Sequence, residues 1–239
     1  MKQQKLLILF SALFLAITVA YSAIFSLLVE LFQKEDISVD FKAQTLIILD
    51  AGHGGEDGGA TGTNGVLEKD LNLLLTSALA DLLRLSGYSV LESRTEDKLL
   101  YDEGTKKGHK KQSDLQNRLS LTEQYPESVF ISIHMNTFPS PDCTGTQIWY
   151  SENDPESAEW AKAMQNKIQN TLQPENNRKI KAATSNIYIL RHAATPAILI
   201  ECGFISSPTE CERLCDPVYQ KKLVATLFSV IDEKMRAES

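Results

Sequence analysis

Hydrophobic and polar positions change their period several times along this chain, and each change marks an element. Leu6 to Val29 is a run of 24 residues without a charge. As a helix rising about 1.5 Å per residue it would span roughly 36 Å, enough to cross a ~30 Å hydrocarbon core. Lys2 and Lys5 precede it, and Glu30, Lys34, Glu35 and Asp36 follow. Lysines at the short end favour that end in the cytoplasm. Residues 1–33 are therefore expected to form a membrane anchor, with a cleaved export signal as the alternative, because Ala20, Ser22 and Ala23 are small. The polar stretch 34–44 reads as a linker. Residues 45–239 then read as one extracytoplasmic domain.

Within that domain the pattern alternates. Thr45–Leu49, Tyr88–Arg94, Val129–His134, Gly145–Tyr150, Ile187–Leu190 and Ala197–Glu201 are short apolar or β-branched runs that read as strands. Ala51–Gly65 holds seven of the 12 glycines and reads as a loop. Glu68–Ser86 carries Leu71, Leu74, Leu75, Leu79, Leu82 and Leu83 at helical spacing, with Gly87 where a helix would stop. Further helices are predicted from Ser113, as N-cap, to Gln124, from Pro155 to Leu172, from Pro208 to Cys215 and from Val218 to Met235. Strands interleaved with helices predict an α/β fold, a three-layer sandwich whose mostly parallel or mixed sheet carries helices on both faces.

Composition narrows the picture. With 43% hydrophobic residues among 239, the chain has the apolar surface to fold. Its formal charge of −7 argues against a nucleic-acid binder. Four cysteines exclude a disulfide-stapled miniprotein and are read as thiols. The lysines at 106, 107, 110 and 111 form a basic loop that reads as a solvated one, with contact to an anionic polymer or an accessory protein as the alternative.

The candidate chemistry sits at strand ends, the functional edge of open α/β sheets. His53 follows the first strand, His134 ends the third, Glu201 ends the last, and Glu68 opens the first helix. Two histidines and a glutamate are a ligand set of hydrolytic zinc sites, and a second glutamate would serve as general base. By type and spacing alone, structural histidines and a glutamate favoured by the helix dipole fit as well. Glu201 is the hardest to place that way, because a carboxylate following Ala197–Ile200 must face a cation or solvent.

These segments resemble the zinc-dependent N-acetylmuramoyl-L-alanine amidases of bacterial walls. The family pattern is Asp-Pro-Gly-His-Gly-Gly, then Glu-Lys-Asp opening a helix, then Ser-Ile-His-x-Asn, then Glu-x-Gly-Phe. Here Asp50–Gly55, Glu68–Asp70, Ser132–Asn136 and Glu201–Phe204 match in order. Ala51, Met135 and Cys202 are departures that remove no functional residue. The resemblance implies one Zn2+ held by His53, Glu68 and His134, with Glu201 as the catalytic carboxylate, in a phosphorylase/hydrolase-like sandwich. It implies hydrolysis of the bond between the lactyl group of N-acetylmuramic acid and L-alanine in peptidoglycan. Ser113–Arg118 and Asn186–Arg191 are nearest to the germination-specific spore-cortex enzymes, which act towards muramic-δ-lactam and in some cases need a lipoprotein partner. A vegetative wall amidase, a zinc peptidase and a non-catalytic wall-binding protein are the alternatives. Arg94, Arg118 and Arg191 are the candidate binders of stem-peptide carboxylates, and Asn136 a candidate for orienting the site.

Overall fold

The computed structural model describes residues 14, 17–26 and 45–237, and the chain divides into two units, Met1–Lys42 and Ala43–Ser239. In the first unit, residues 17–26 are helical. Among the described residues no helix is long and apolar enough to cross a membrane. The expected anchor lies partly, and the linker 34–44 wholly, outside the described residues.

In the second unit the described residues form six strands: β1 (Leu46–Ala51), β2 (Val90–Glu92), β3 (Ser128–Asn136), β4 (Gln147–Tyr150), β5 (Lys181–Ala182) and β6 (Ala197–Phe204). Six helices accompany them: α1 (Glu68–Leu85), α2 (Lys110–Gln124), α3 (Glu156–Thr171), α4 (Tyr188–His192), α5 (Pro208–Cys215) and α6 (Pro217–Ala237). The strands form one sheet in the order β2-β1-β3-β6-β4-β5. The first four run parallel, β4 is antiparallel to β6, and β5 is parallel to β4. The sheet is thus mixed, as the α/β reading expected.

Alternation along each strand sorts the side chains into two layers. Ile47 and Leu49 of β1, Val129, Ile131 and Ile133 of β3, and Ile198 and Ile200 of β6 point one way, onto leucines of α1, Trp160 and Met164 of α3, and Leu223 and Leu227 of α6. Ile48, Phe130 and Leu199 point the other way, onto Leu119 of α2 and Ile189 and Leu190 of the short α4. His134 and Glu201 continue this second row. They are register partners on β3 and β6, so their side chains emerge together on the more thinly covered face.

Two expectations change. Ile187–Leu190 is not a strand: residues 188–192 make a five-residue helix that packs Ile189 and Leu190 on the sheet. A four-residue apolar run carries no period long enough to separate strand from helix. Ser113 does not cap α2, which already begins at Lys110. Instead the Ser113 hydroxyl accepts the Asp102 amide at 3.0 Å and ties the preceding loop to the helix.

A buried ionic network underlies the catalytic edge. Asp50 is fully buried, accepts from Ser132 at 2.6 Å and Ser93 at 2.7 Å, and pairs with Arg118 at 2.5 Å. Burial opposes its ionisation, but Arg118 and the two hydroxyls prevail and hold its pKa at about 2, below the ordinary 3.8. A lowered folded-state pKa gives stability that is present above the unfolded value and lost on acidification. Unfolding free energy should therefore fall as pH drops from about 4 towards 2. Urea titrations across that range check this, and the slope should shrink in Asp50→Asn.

Candidate metal centre

The loop after β1 turns sharply at its first histidine. Gly52 N–H donates to the Ile133 carbonyl at 3.1 Å, extending the ladder by one residue. His53 then adopts φ 61°, the only described non-glycine residue at positive φ. That left-handed conformation costs a non-glycine residue on the order of 1 kcal/mol or more and is typical of functional positions. The loop must pass close to its own ligands. A Cβ on Gly52 would meet the His134 ring at 2.2 Å, and one on Gly59 (φ +66°) would sit 2.5 Å from Glu68 Oε2.

Three side chains meet there. Glu68 Oε1 lies 3.2 Å from His53 Nε2 and 3.0 Å from His134 Nδ1. The two rings stand edge to face, 5.0 Å between centroids. Backbone amides fix the carboxylate from behind: Ala60 donates to Oε2 at 2.8 Å and Met135 to Oε1 at 3.1 Å. The donor atoms of His53, Glu68 and His134 all fall within 4.8 Å of one another. Ligand atoms at 2.0–2.2 Å from a tetrahedral zinc lie about 3.4 Å apart, so the observed spacings suit one such ion.

Charge couples these side chains tightly. Burial raises the pKa of Glu68, but the hydrogen bonds from His134 and His53 outweigh it and hold it well below the carboxylate range. Burial also opposes a charge on His53, yet Asp57 and Glu68 raise it to about 9. Asp57 Oδ2 sits 2.9 Å from His53 Nδ1, fixing a proton there and leaving Nε2 for a metal. Lys111 in turn lies 3.0 Å from Asp57.

Glu201 completes the cluster. Its Oε2 is buried with no hydrogen-bond partner among the described residues. Burial raises its pKa to about 7, with His134 lowering and Glu68 raising it. A nearby dication would draw it back down. An orphaned, buried carboxylate beside three converging donors is the arrangement a metal-activated water would satisfy. The cluster opens into a cavity of about 250 Å³ whose walls include Leu115, Phe130, Ile187, Tyr188 and Leu199, with Lys111 among its lining.

The pattern of the N-acetylmuramoyl-L-alanine amidase family matches residues 47–233. This chain belongs to that family. It is an amidase of peptidoglycan. It is 36% identical over 187 residues to the germination-specific N-acetylmuramoyl-L-alanine amidase of Bacillus subtilis, covering 78% of each chain. It is 30% identical over 171 residues to the sporulation-specific amidase of the same organism, covering 70% of this chain and 59% of that one. Among solved structures, the CwlD amidase of Clostridioides difficile, determined in complex with the GerS lipoprotein, superimposes with a TM-score of 0.76 at 35% identity, covering 82% of this chain and all of that one.

The expected binding residues of this amidase fall elsewhere. Arg94 and Arg118 are almost fully buried. Arg94 donates to the carbonyls of Ala51 at 2.9 Å, Gly52 at 3.0 Å and Lys69 at 2.8 Å. Arg118 donates to the carbonyls of Ala51 and His53, each at 2.7 Å, and to Asp114 at 2.9 Å. With their donors committed inward, they brace the loop that carries His53, and an anion-binding role does not fit them. Arg191 lies at the surface, 3.7 Å from Glu152. Asn136 Oδ1 accepts the next amide, Thr137 N–H, at 2.8 Å, a local turn contact. Asp57 is the site residue that sequence reasoning missed, and Lys111, read as part of a solvated loop, instead lies in the first turn of α2 and lines the cavity. An acid four positions after a histidine in a glycine loop was the available signal.

Proposed function

We propose that this chain is a zinc-dependent amidase that cleaves the lactyl–L-alanine bond of muramoyl stem peptides, in spore-cortex maturation leading to muramic-δ-lactam. The observation that carries the metal reading is the convergence of His53, Glu68 and His134 next to the unpartnered Glu201 carboxylate. The spore-cortex assignment draws support from the identity to germination-specific and sporulation-specific enzymes. An accessory lipoprotein for this chain is supported by the solved relative bound to one. Action would be extracytoplasmic, with the apolar N-terminal run as tether.

His53, Glu68 and His134 would hold the ion. Zinc, when bound, supplies a Lewis acid that acidifies water and polarises a carbonyl. Asp57 keeps the His53 ring in one tautomer, and the amides of Ala60 and Met135 keep Glu68 from swinging away. Glu201 takes a proton from water as its oxygen attacks the lactyl carbonyl. It then delivers that proton to the departing nitrogen of L-alanine.

Replacing His134 with alanine should remove the metal itself. Zinc content measured on the purified protein should fall from about one per chain towards zero, and turnover should vanish with it. Retained stoichiometric zinc would overturn the ligand assignment. The biological setting is tested by digesting purified cortex and vegetative wall with and without a chelator, followed by mass analysis. Chelator-sensitive release of stem peptides from cortex supports the reading, and release confined to vegetative wall contradicts it.

A further inference from the structure

A second cavity, of about 640 Å³, lies between the C-terminal half of α3 and the loop 174–180. No aspartate or glutamate lines it, although the chain as a whole carries −7. Lys162, Arg178 and Lys179 do, together with the amides of Asn166, Asn170 and Asn177. Among the described residues, none of the three cations has a carboxylate partner. Arg178 spends one donor on the Thr144 carbonyl at 2.6 Å and lies over the Phe204 ring at 4.3 Å, leaving the rest of its guanidinium free.

The cleft is a built feature. Gln169 donates to the carbonyls of Asn176 at 2.7 Å and Arg178 at 2.9 Å, and Gln147 donates to that of Lys179. These bonds pin the loop to α3 and to the sheet. Phe204, under Arg178, ends the same strand that carries Glu201. The cleft opens on the α3 side of the sheet, opposite the face on which His134 and Glu201 emerge.

Cations and primary amides together suit a ligand that offers carboxylates and acetamido or hydroxyl groups at once. The amidase reaction makes such a ligand. Water adds to the lactyl carbonyl and the C–N bond breaks. The peptide leaves with the nitrogen as an amine, and the glycan keeps a free lactyl carboxylate beside its acetamido group. We propose that this cleft is an exosite for the product: glycan strands already stripped of peptide. The proposal rests on the amidase activity for its choice of ligand, but its test needs no turnover.

The test is binding of peptide-free glycan strands to the full chain, stripped of metal by chelator. Three probes are compared: strands with free lactyl carboxylates, the same strands with those groups converted to neutral amides, and inorganic polyphosphate as competitor. Carboxylate strands should bind, and the Lys162→Ala/Arg178→Ala/Lys179→Ala variant should bind them about tenfold more weakly, the order expected for three exposed charge contacts. Amidated strands should be weakened comparably, and rising salt should weaken carboxylate binding. Equal binding by the variant, or of amidated strands, would overturn the site. Polyphosphate competing as well as the glycan would overturn the product assignment. Should the triple variant melt early, Lys162→Glu/Lys179→Glu, which changes exposed side chains alone, carries the same comparison. Absence of hydrolysis by the zinc-loaded wild-type chain, with glycan binding intact, would instead count against the catalytic reading.

Discussion

Glu201→Gln should fold, keep its zinc and lose turnover by about 10²- to 10⁴-fold, the usual worth of general acid–base catalysis. The physical reason is separable from metal binding. Glu201 offers no atom to the three-donor cluster, and its Oε2 is a buried oxygen without a hydrogen-bond partner among the described residues. Glutamine preserves the shape but can neither accept nor deliver the proton. The melting temperature should hold or rise, because a buried carboxylate with a pKa pushed up to about 7 contributes nothing to stability in its charged form. Two measurements on one sample decide it: zinc by absorption spectroscopy and hydrolysis of a soluble muramoyl peptide. Zinc lost along with activity would make Glu201 a ligand, and wild-type activity would remove it from the mechanism.

Arg118→Met should cost about 3–5 kcal/mol, the range for breaking a buried ion pair from one side. The guanidinium is held by Asp50 at 2.5 Å and Asp114 at 2.9 Å, with all of these side chains nearly inaccessible. Removing it leaves Asp50 charged in the interior, frees the carbonyl of His53, and leaves that of Ala51 to Arg94 alone. Lysine should rescue little, since one ammonium cannot span two carboxylates and two carbonyls. Urea unfolding reads the loss directly. An unchanged midpoint with a raised KM would restore Arg118 to the role of substrate binder that its sequence position suggested.

That contrast shows where sequence reading worked and where it stopped. The β1, β3 and β6 runs were legible because uninterrupted Ile, Leu and Val between polar ends have few uses besides a strand buried on both faces. α1 was legible from its leucine spacing. Glu201 stood out because a carboxylate is costly at the end of such a run, and His53, Glu68 and His134 because their motifs match the family pattern in order. Arg94 and Arg118 were misread because their partners are mostly backbone carbonyls, which have no signature in a sequence. Asp57 was passed over because its partner ring depends on a left-handed residue, His53, that no propensity foretells. The short α4 was lost for want of a full period.

Because His134 and Glu201 face each other across one rung of the β3–β6 ladder, the reach from ligand to proton carrier is set by the inter-strand spacing of about 4.8 Å. No loop length enters that interval. The segments connecting these strands are thus at liberty to lengthen, shorten or acquire new partners over evolutionary time without detuning the chemistry, whereas a single-residue slip of either strand would abolish it at once.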